Sequence, residues 1–234
     1  MYSLYFLRLP PVIELTILHK DLLKKELFGE VWAVEFDKSA AILRDSGKAR
    51  WWLRWLARWL MRREATALAA LTGINGVPQL LASDRDSLVR SFIPGQPLFT
   101  GKPTDGRYFR EAAGLLRCLH RAGVVHNDLA KEPNILLCDD GSPAFIDFQL
   151  AACSRRRGRL FRVAAREDIR HLLKHKRTYV PDRLTARERQ ILATPSGPSR
   201  IWMSTFKPVY LFVTRRIFGW ADREGAADRG RTDG

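Results

Sequence analysis

The chain has 234 residues, 46% of them hydrophobic, which is enough to bury the core of one or two small lobes. Its 40 Lys and Arg residues against 25 Asp and Glu residues give a formal charge of +15, which favours anionic partners such as nucleic acid, anionic lipid or a phosphorylated substrate. Three cysteines show no metal-binding spacing and form no even set, which excludes a disulfide framework and indicates a reducing compartment.

The first 18 residues are apolar but are interrupted by Arg8 and Glu14. They have neither the basic start nor the small-residue cleavage site of a secretory signal peptide, so we predict none. No segment of the chain reaches the roughly 18 uncharged apolar residues that span a bilayer, which predicts that there is no transmembrane helix.

Three short strands are predicted within residues 22–45, where β-branched and aromatic residues are separated by turn residues. Gly29 lies at the turn after the first strand. Arg44 ends the apolar third strand, and Lys38 is a rival cation that falls in the preceding turn. A guanidinium at the end of a strand can bind phosphate through two parallel hydrogen bonds.

An unusual helix is predicted at residues 50–63, where Arg and Trp each recur every four residues. Residues four apart share a helix face, so an arginine stripe runs beside a stripe formed by Trp51, Trp55 and Trp59. This pattern is typical of an anionic membrane interface, where the cations meet lipid phosphate and the indoles lie at headgroup level. The alternative is that the tryptophans pack on the sheet and the arginines are solvated.

Two further strands are predicted within residues 79–93, and we place a hinge between two lobes at about residues 90–95, where main-chain groups would meet a ligand. Residues 108–122 predict an amphipathic helix that a glycine closes. Residues 155–177 contain ten Lys or Arg residues and two acids, which favours either an anionic acceptor or a solvated basic face. Residues 207–220 predict a packed helix or a second surface anchor.

The most informative motif is HNDLAKEPN at residues 126–134, followed by Asp147. Two predicted strands with a turn between them separate the two parts. Phosphoryl transfer needs one carboxylate to orient the attacking hydroxyl and further oxygen ligands to hold magnesium. Asp128 fits the first role, and Asn134 and Asp147 fit the second. The alternative is a β-hairpin with incidental acids.

Three neighbouring residues refine this motif. Lys131 either neutralises the transferred γ-phosphoryl group or is an exposed loop lysine. His126 is predicted to brace the loop through hydrogen bonds and not to transfer protons. Gln149 stands where kinases have the glycine of Asp-Phe-Gly, and its restricted backbone predicts a fixed segment in place of a flipping one.

On these residues the chain resembles the small bacterial kinase-like proteins related to lipopolysaccharide core kinases and to the RIO kinases. Asn127 to Glu132 and Asp147 to Ala151 carry the resemblance. It implies an α+β fold: a minimal, two-lobed protein-kinase-like fold with a small β-rich N-lobe and a mainly helical C-lobe. The predicted division is an N-terminal extension at 1–21, the N-lobe at 22–93, the C-lobe at 94–222 and a disordered tail at 223–234.

The resemblance also implies ATP and Mg²⁺ as cofactors. Gly29 is then the glycine of the phosphate turn, or else it simply closes a hairpin. Glu64 either pairs with Arg44 or is a solvated helix acid. The implied site residues are Asp128 and Lys131 for catalysis, Gly29, Arg44 and Glu64 for the nucleotide, and Asn134 and Asp147 for the metal.

We therefore expect an ATP-dependent kinase of the bacterial cytoplasm, peripheral at the inner membrane, that phosphorylates a hydroxyl of a lipopolysaccharide core sugar. The alternatives are a RIO-like protein serine/threonine kinase and a membrane-associated pseudokinase scaffold. The expected partner is an anionic acceptor, either a lipopolysaccharide precursor or a protein. An anionic membrane surface would meet the helix at residues 50–63, and nucleic acid is a less favoured partner.

Overall fold

The computed structural model describes residues 20–194. The predictions for the N-terminal extension before residue 20, for residues 207–220 and for the tail at 223–234 lie outside the described residues. The chain divides into two compact units, Met1–Leu172 and Leu173–Gly234. The lobe boundary expected after residue 93 stays a prediction.

A five-stranded antiparallel sheet forms the N-terminal part of the first unit, with strand order β1-β2-β3-β5-β4. Strands are confirmed in both segments for which the sequence predicts them, with small shifts at their ends. The elements are β1 (Lys20–Glu26), β2 (Gly29–Phe36), β3 (Ser39–Asp45), helix α1 (Arg54–Ala70), β4 (Leu80–Ser83) and β5 (Ser87–Ser91).

The two faces of this sheet carry different side chains. Successive side chains of a strand point to opposite sides of the sheet. On one face, Val34, Ala41, Leu43 and Val89 form a buried apolar cluster. Arg44 follows Leu43 in β3 and therefore points to the other face, where its guanidinium contacts α1. The alternation of β3 thus places one cation between the sheet and the helix.

Gly29 is required by the backbone at the β1–β2 turn. It pairs with Glu26 across a two-residue turn and has a φ of 130°. A Cβ atom at this position would overlap the main-chain carbonyl of Asp45, so only glycine fits. Closure of the hairpin therefore accounts for this glycine, and its contact with a phosphate stays a prediction. Lys38 lies in the exposed β2–β3 turn with a φ of 60°.

Helix α1 begins at Arg54, later than the predicted start, because residues 51–53 form turns. Its buried side chains are small, aliphatic or acidic, and its tryptophans point to solvent. The expectation that the tryptophan stripe packs on the sheet is therefore wrong, because the side chains that α1 buries are Ala57, Met61, Glu64, Ala67 and Leu68.

The chain after β5 is mainly helical, which confirms the predicted α+β class. β6, β8 and β9 form a small antiparallel sheet, and β7 pairs with β10. The elements are β6 (Gln96–Pro97), α2 (Leu98–Gly101), α3 (Gly106–Arg121), β7 (Val124–Val125), β8 (Ile135–Leu137), β9 (Pro143–Phe145), β10 (Ala152–Cys153), α4 (Arg159–Tyr179) and α5 (Ala186–Ala193).

Helix α3 confirms the predicted amphipathic helix and positions the chain for the loop that follows. The Asp105 side chain caps its N-terminus, and Gly123, with a φ of 80°, follows its C-terminus in the left-handed conformation that ends many helices. Leu116 and Leu119 are buried on one side. The hydroxyl of Tyr108 donates to the carbonyl of Leu136 at 2.9 Å, which joins α3 to β8.

The second unit contains the end of α4 and helix α5. Thr185 and Glu188 form a reciprocal capping box at the start of α5. Glu188 also accepts from Nζ of the buried Lys176 at 2.8 Å, so its carboxylate neutralises a cation that has little access to water. Between residues 20 and 194 no helix is both long and apolar enough to cross a bilayer.

Candidate active site

The loop between β7 and β8 holds Asp128 in a defined orientation. Nδ2 of the buried Asn134 donates to the main-chain carbonyl of Asp128 and to its Oδ2, both at 2.9 Å. Nζ of Lys131 lies 3.0 Å from the same Oδ2, with 59% of its side chain exposed. The loop thus brings all three of its predicted residues together around one carboxylate.

His126 braces the loop, as predicted, in a single neutral tautomer. Its imidazole is fully buried, and burial lowers its pKa below the usual 6.5. Nε2 lies 3.0 Å from the carbonyl of Ile146, which can only accept, so Nε2 carries the proton. Nδ1 then accepts the main-chain N–H of Asp128 at 3.3 Å. The ring therefore links the loop that carries Asp128 to the strand end before Asp147.

Asp168 of α4 anchors the same loop. Its two carboxylate oxygens accept the consecutive main-chain amides of His126, at 2.8 Å, and Asn127, at 2.9 Å. Nε2 of His120 lies 3.3 Å from Oδ2, and Asp168 is 1% exposed. Asn127 itself has a left-handed φ of 63°, which is uncommon outside glycine.

Sequence reasoning missed this residue, since Asp168 counted only as one of two acids in a basic segment. One signal was available. Asp168 lies seven residues after Phe161 and four before Leu172, which are both buried, so it stands on the apolar stripe of α4. An acid on such a stripe indicates a buried carboxylate with hydrogen-bond donors around it.

Two guanidinium groups of the five-stranded sheet form a charge cluster with one carboxylate of α1 and with Asp147, which follows β9. Nη1 of Arg44 lies 2.8 Å from Oε2 of Glu64, which is the pairing that the sequence predicts, and 3.3 Å from Oδ1 of Asp147. Nε of Arg90 lies 3.3 Å from the other oxygen of Glu64. Because Glu64 is fully buried, this pairing supplies the charge balance that its ionised form needs.

Arg90 belongs to this cluster and, after Asp168, is the second residue of the site that sequence reasoning missed. It is 9% exposed, and its burial lowers its pKa, an effect that the charge of Glu64 opposes. Arg90 falls within the segment predicted as a hinge, where the sequence indicated main-chain contacts and not a buried cation. Its pairing with Glu64 depends on the register of β5 beside β3, in which Arg90 is opposite Ile42.

Asp147 ends the strand connection after β9 in an unusual backbone conformation. Its φ of 65° and ψ of 70° lie in the left-handed region, which is uncommon outside glycine, and 33% of its side chain is exposed. The carboxamide of Gln149 lies against Arg44 and, with its oxygen turned to the guanidinium, accepts from Nη2 at 2.6 Å. Arg44 is therefore shared by three side chains.

Arg63 of α1 fastens the segment that follows Gln149. Its Nη2 donates to the carbonyls of Leu150, at 2.9 Å, and Ala151, at 2.8 Å, and its guanidinium lies 4.6 Å from the ring centre of Trp59. These contacts accord with the predicted fixed segment, although whether the segment moves stays a prediction. The sequence indicated only that Arg63 is one basic residue among many.

The oxygen atoms of the site suit magnesium held jointly with phosphate groups. Within residues 20–194 there is no cluster of three or more His, Cys, Asp or Glu side chains that would hold a metal by themselves. Mg²⁺ commonly uses one or two protein ligands together with phosphates. The partly exposed carboxylate of Asp147 and the amide oxygen of Asn134, whose nitrogen is taken by Asp128, fit that mode.

Gly29 belongs to neither group of residues but borders the charge cluster. With Arg44, Met61 and Gln149 it lines a cavity of about 30 Å³, which has space for roughly one water molecule. Of the seven predicted site residues, three meet in the loop and three in the charge cluster. Gly29 is the seventh. The functional assignments of all seven stay predictions.

Three comparisons with known proteins bear on this site. A family model for the RIO domain matches residues 35–189, more than half of the chain. The DNA damage-responsive serine/threonine-protein kinase RqkA of Deinococcus radiodurans is 35% identical over 43% of this chain and 17% of its own length. The hormonally up-regulated neu tumor-associated kinase of Homo sapiens is 48% identical over 20% of this chain and 7% of its own length. The chain thus spans less than a fifth of the length of these relatives.

Proposed function

The chain belongs to the RIO domain family of kinase-like proteins, and on that premise we propose that it is an ATP-dependent protein serine/threonine kinase. The observation that carries the proposal is the arrangement of Asp128 and Asn134 in one hydrogen-bonded loop, opposite Asp147 and its Arg44–Glu64 pair. The expected lipopolysaccharide acceptor has no support among the relatives, and the serine/threonine kinase named among them favours a protein acceptor.

Asp128 is proposed to act on the acceptor hydroxyl. The hydroxyl oxygen forms a bond to the γ-phosphorus as the bond to the β-bridging oxygen breaks, ADP leaves, and the hydroxyl proton passes to Asp128. Asn134 holds the carboxylate in position through Oδ2. Lys131, already 3.0 Å from Oδ2, brings a positive charge to the place where the phosphoryl oxygens would lie.

Asp147 and Asn134 would hold magnesium, and Arg44 would reach the α- and β-phosphates. Magnesium ATP, when bound, supplies the transferable phosphoryl group and the charge that neutralises it. In the structure Arg44 is engaged by Glu64, Asp147 and Gln149. We infer that Arg44 exchanges Asp147 and Gln149 for phosphate oxygens while Glu64 keeps its position.

Incubation with radiolabelled ATP, Mg²⁺ and either generic protein acceptors or lipopolysaccharide precursors tests the proposal. We expect label on Ser or Thr of protein, and Asp128→Asn should lower the rate by about 10²–10⁴-fold. Asp139→Asn is the matched control, because Asp139 is an exposed acid of the β8–β9 turn, and it should keep full activity. Label on the sugar precursors alone would contradict the proposal that the acceptor is a protein.

A pseudokinase scaffold is the second candidate, and the engagement of Arg44 by three side chains favours it. In that case ATP binds, as measured by a nucleotide-dependent rise in melting temperature, while no acceptor is labelled and Asp128→Asn changes nothing. The cytoplasmic location and the anionic nature of the acceptor stay predictions. The exposed loop at residues 155–158 is the basic segment that would meet an acidic protein.

A further inference from the structure

The outward face of α1 and the turn before it expose four tryptophans. The exposed fractions are 83% for Trp51, 38% for Trp52, 68% for Trp55 and 48% for Trp59. Tryptophan is highly buried on average, and a contiguous exposed apolar patch marks an interaction site more often than a tolerated surface. We call these four residues the tryptophan face.

Core packing does not account for this face. Helix α1 meets the core through Ala57, Met61 and Leu68 on its opposite side, and those residues are at most 4% exposed. A helix that packs on one side of a sheet is expected to be polar on the side that faces water. This helix instead has exposed indoles on that side, so something other than the protein's own packing accounts for them.

The residues around the tryptophan face are cationic. Lys48, Arg50 and Arg62 are exposed, and the sequence from 48 to 63 has six basic residues and no acid. Arg62 lies three residues after Trp59 and seven after Trp55, so it shares their side of the helix. Arg58 is excluded from this group because its Nη2 donates to Asp86 at 3.0 Å.

We propose that the tryptophan face docks on the surface of an anionic lipid bilayer. Indoles favour the headgroup level, and arginines beside them bind lipid phosphates while their stems lie along the apolar surface. Trp55 and Trp59 follow the helix axis over about 6 Å, at roughly 1.5 Å per residue, and Trp51 lies in the turn just before α1. Such a convex row suits a flat interface, whereas single-stranded nucleic acid is usually held in a charged groove.

Co-sedimentation with vesicles tests this docking. The variant pair Trp51→Gln and Trp55→Gln should lower binding to phosphatidylglycerol vesicles by at least about tenfold, since each change removes an interfacial indole and no charge. Trp59 is left in place because it contacts Arg63, which holds the segment after Gln149. The matched control is Leu160→Gln with Phe99→Gln, two other exposed apolar residues, and it should bind as the wild type does.

The contribution of the basic residues around the tryptophan face is tested by the pair Arg50→Glu with Arg62→Glu. Arg110→Glu with Arg117→Glu makes the same change in net charge on exposed residues of α3, in the same unit as α1. We expect the first pair to lose more vesicle binding than the second by about fivefold or more, because attraction to anionic lipid falls off within a Debye length of the surface. Equal losses would mean that net charge alone drives binding and would overturn the docking face.

Three further results would overturn the proposal. They are equal binding to phosphatidylcholine vesicles, a loss of oligonucleotide binding in the tryptophan variants without loss of vesicle binding, and concentration-dependent self-association that those variants abolish. Unchanged melting temperatures for all variants show that the fold is intact, as expected for exposed side chains. Quenching of tryptophan fluorescence by brominated anionic lipid, lost in the tryptophan variants, would support it.

Discussion

The loop that carries Asp128 and the charge cluster around Arg44 face each other, and they are held by different kinds of contact. In the loop, the buried Asp168 accepts two consecutive main-chain amides. In the cluster, the Arg44 guanidinium is divided among side chains, which include Glu64 and Asp147. A main-chain amide cannot exchange its place, whereas a guanidinium can change partners by rotating about its side-chain bonds.

This difference indicates which part of the site adapts to a ligand. Asn134 holds both the main-chain carbonyl and the side chain of Asp128, so this carboxylate has a defined orientation. The charges of the cluster are balanced by its own members, so on the proposed function a phosphate group would have to compete for Arg44. Four substitutions separate the two kinds of contact, from the largest expected effect to the smallest.

Glu64→Gln should cause the largest change in stability. It leaves the guanidinium groups of Arg44 and Arg90 without the fully buried carboxylate between them, and we expect a loss of about 3–5 kcal/mol in the free energy of unfolding. Urea denaturation measures this loss. Glu111→Gln, which removes the partner of the exposed Arg107, is the control and should cost less than about 1 kcal/mol. Equal costs would mean that the cluster is not held by charge.

Asp168→Asn should lower the free energy of unfolding by about 2–3 kcal/mol. The carboxamide of asparagine has only one oxygen, so its NH₂ group would face one of the two main-chain N–H donors. As a positioning residue, Asp168 should affect kcat of the proposed kinase and leave KM for ATP unchanged. Asp105→Asn is the control, since asparagine caps a helix as well as aspartate does. A change in KM for ATP alone would mean that Asp168 affects nucleotide binding and does not position the loop for the transfer step.

Gln149→Ala tests the competition for Arg44. Without the carboxamide, phosphate has one rival fewer, so KM for ATP should fall about two- to fivefold, the equivalent of roughly 0.5–1 kcal/mol. Steady-state kinetics at several ATP concentrations measure it, and the melting temperature shows whether the fold is kept. A rise in KM would show that Gln149 positions Arg44 for phosphate and does not compete.

His126 links the two parts and predicts a small pH effect. Its folded-state pKa is lowered by burial, so between that pKa and about 6.5 the unfolded chain binds a proton that the folded chain does not. Stability should therefore fall as the pH drops below about 6.5, by up to about 1.4 kcal/mol per pH unit, and be unaffected by this group at higher pH.

His126→Gln tests this contribution, since its amide can still donate to the carbonyl of Ile146 but does not titrate. Unfolding free energies at pH 7.5 and 5.5 should differ less in this variant than in the wild type. The loss of the acceptor for the Asp128 amide should lower stability by about 1 kcal/mol at both pH values. An unchanged difference between the two pH values would mean that His126 does not titrate on unfolding.

Contacts that are local in sequence could be predicted. Asn134 lies six residues after Asp128, and a short hairpin brings the chain back to Asp147, so their order and spacing alone place them at one site. The Arg44–Glu64 pair was one of two alternatives, and it came from the resemblance to kinases, in which a helix glutamate pairs with a strand cation. The first inference depends on short connections, which a sequence records directly.

Contacts to main-chain groups far along the chain could not be predicted. Asp168 binds amides 41 and 42 residues before it, and Arg63 binds carbonyls 87 and 88 residues after it. Every residue has the same main-chain donor and acceptor, so the partner leaves no mark in the sequence. Only the packing of α4 and α1 against the loop segments selects these groups.

The features of helix α1 were determined partly by the sequence and partly by the tertiary structure. Its periodicity determined that tryptophans would form one stripe and arginines another. It did not determine which side turns to the core, because that depends on the volume available beside the sheet, and the side chains that α1 buries include Ala57 and Met61 but no indole. The sequence alone thus determined the kinase-like fold class and the amphipathic elements. The tertiary structure decided which charges are buried together and which apolar side chains are left to face the solvent.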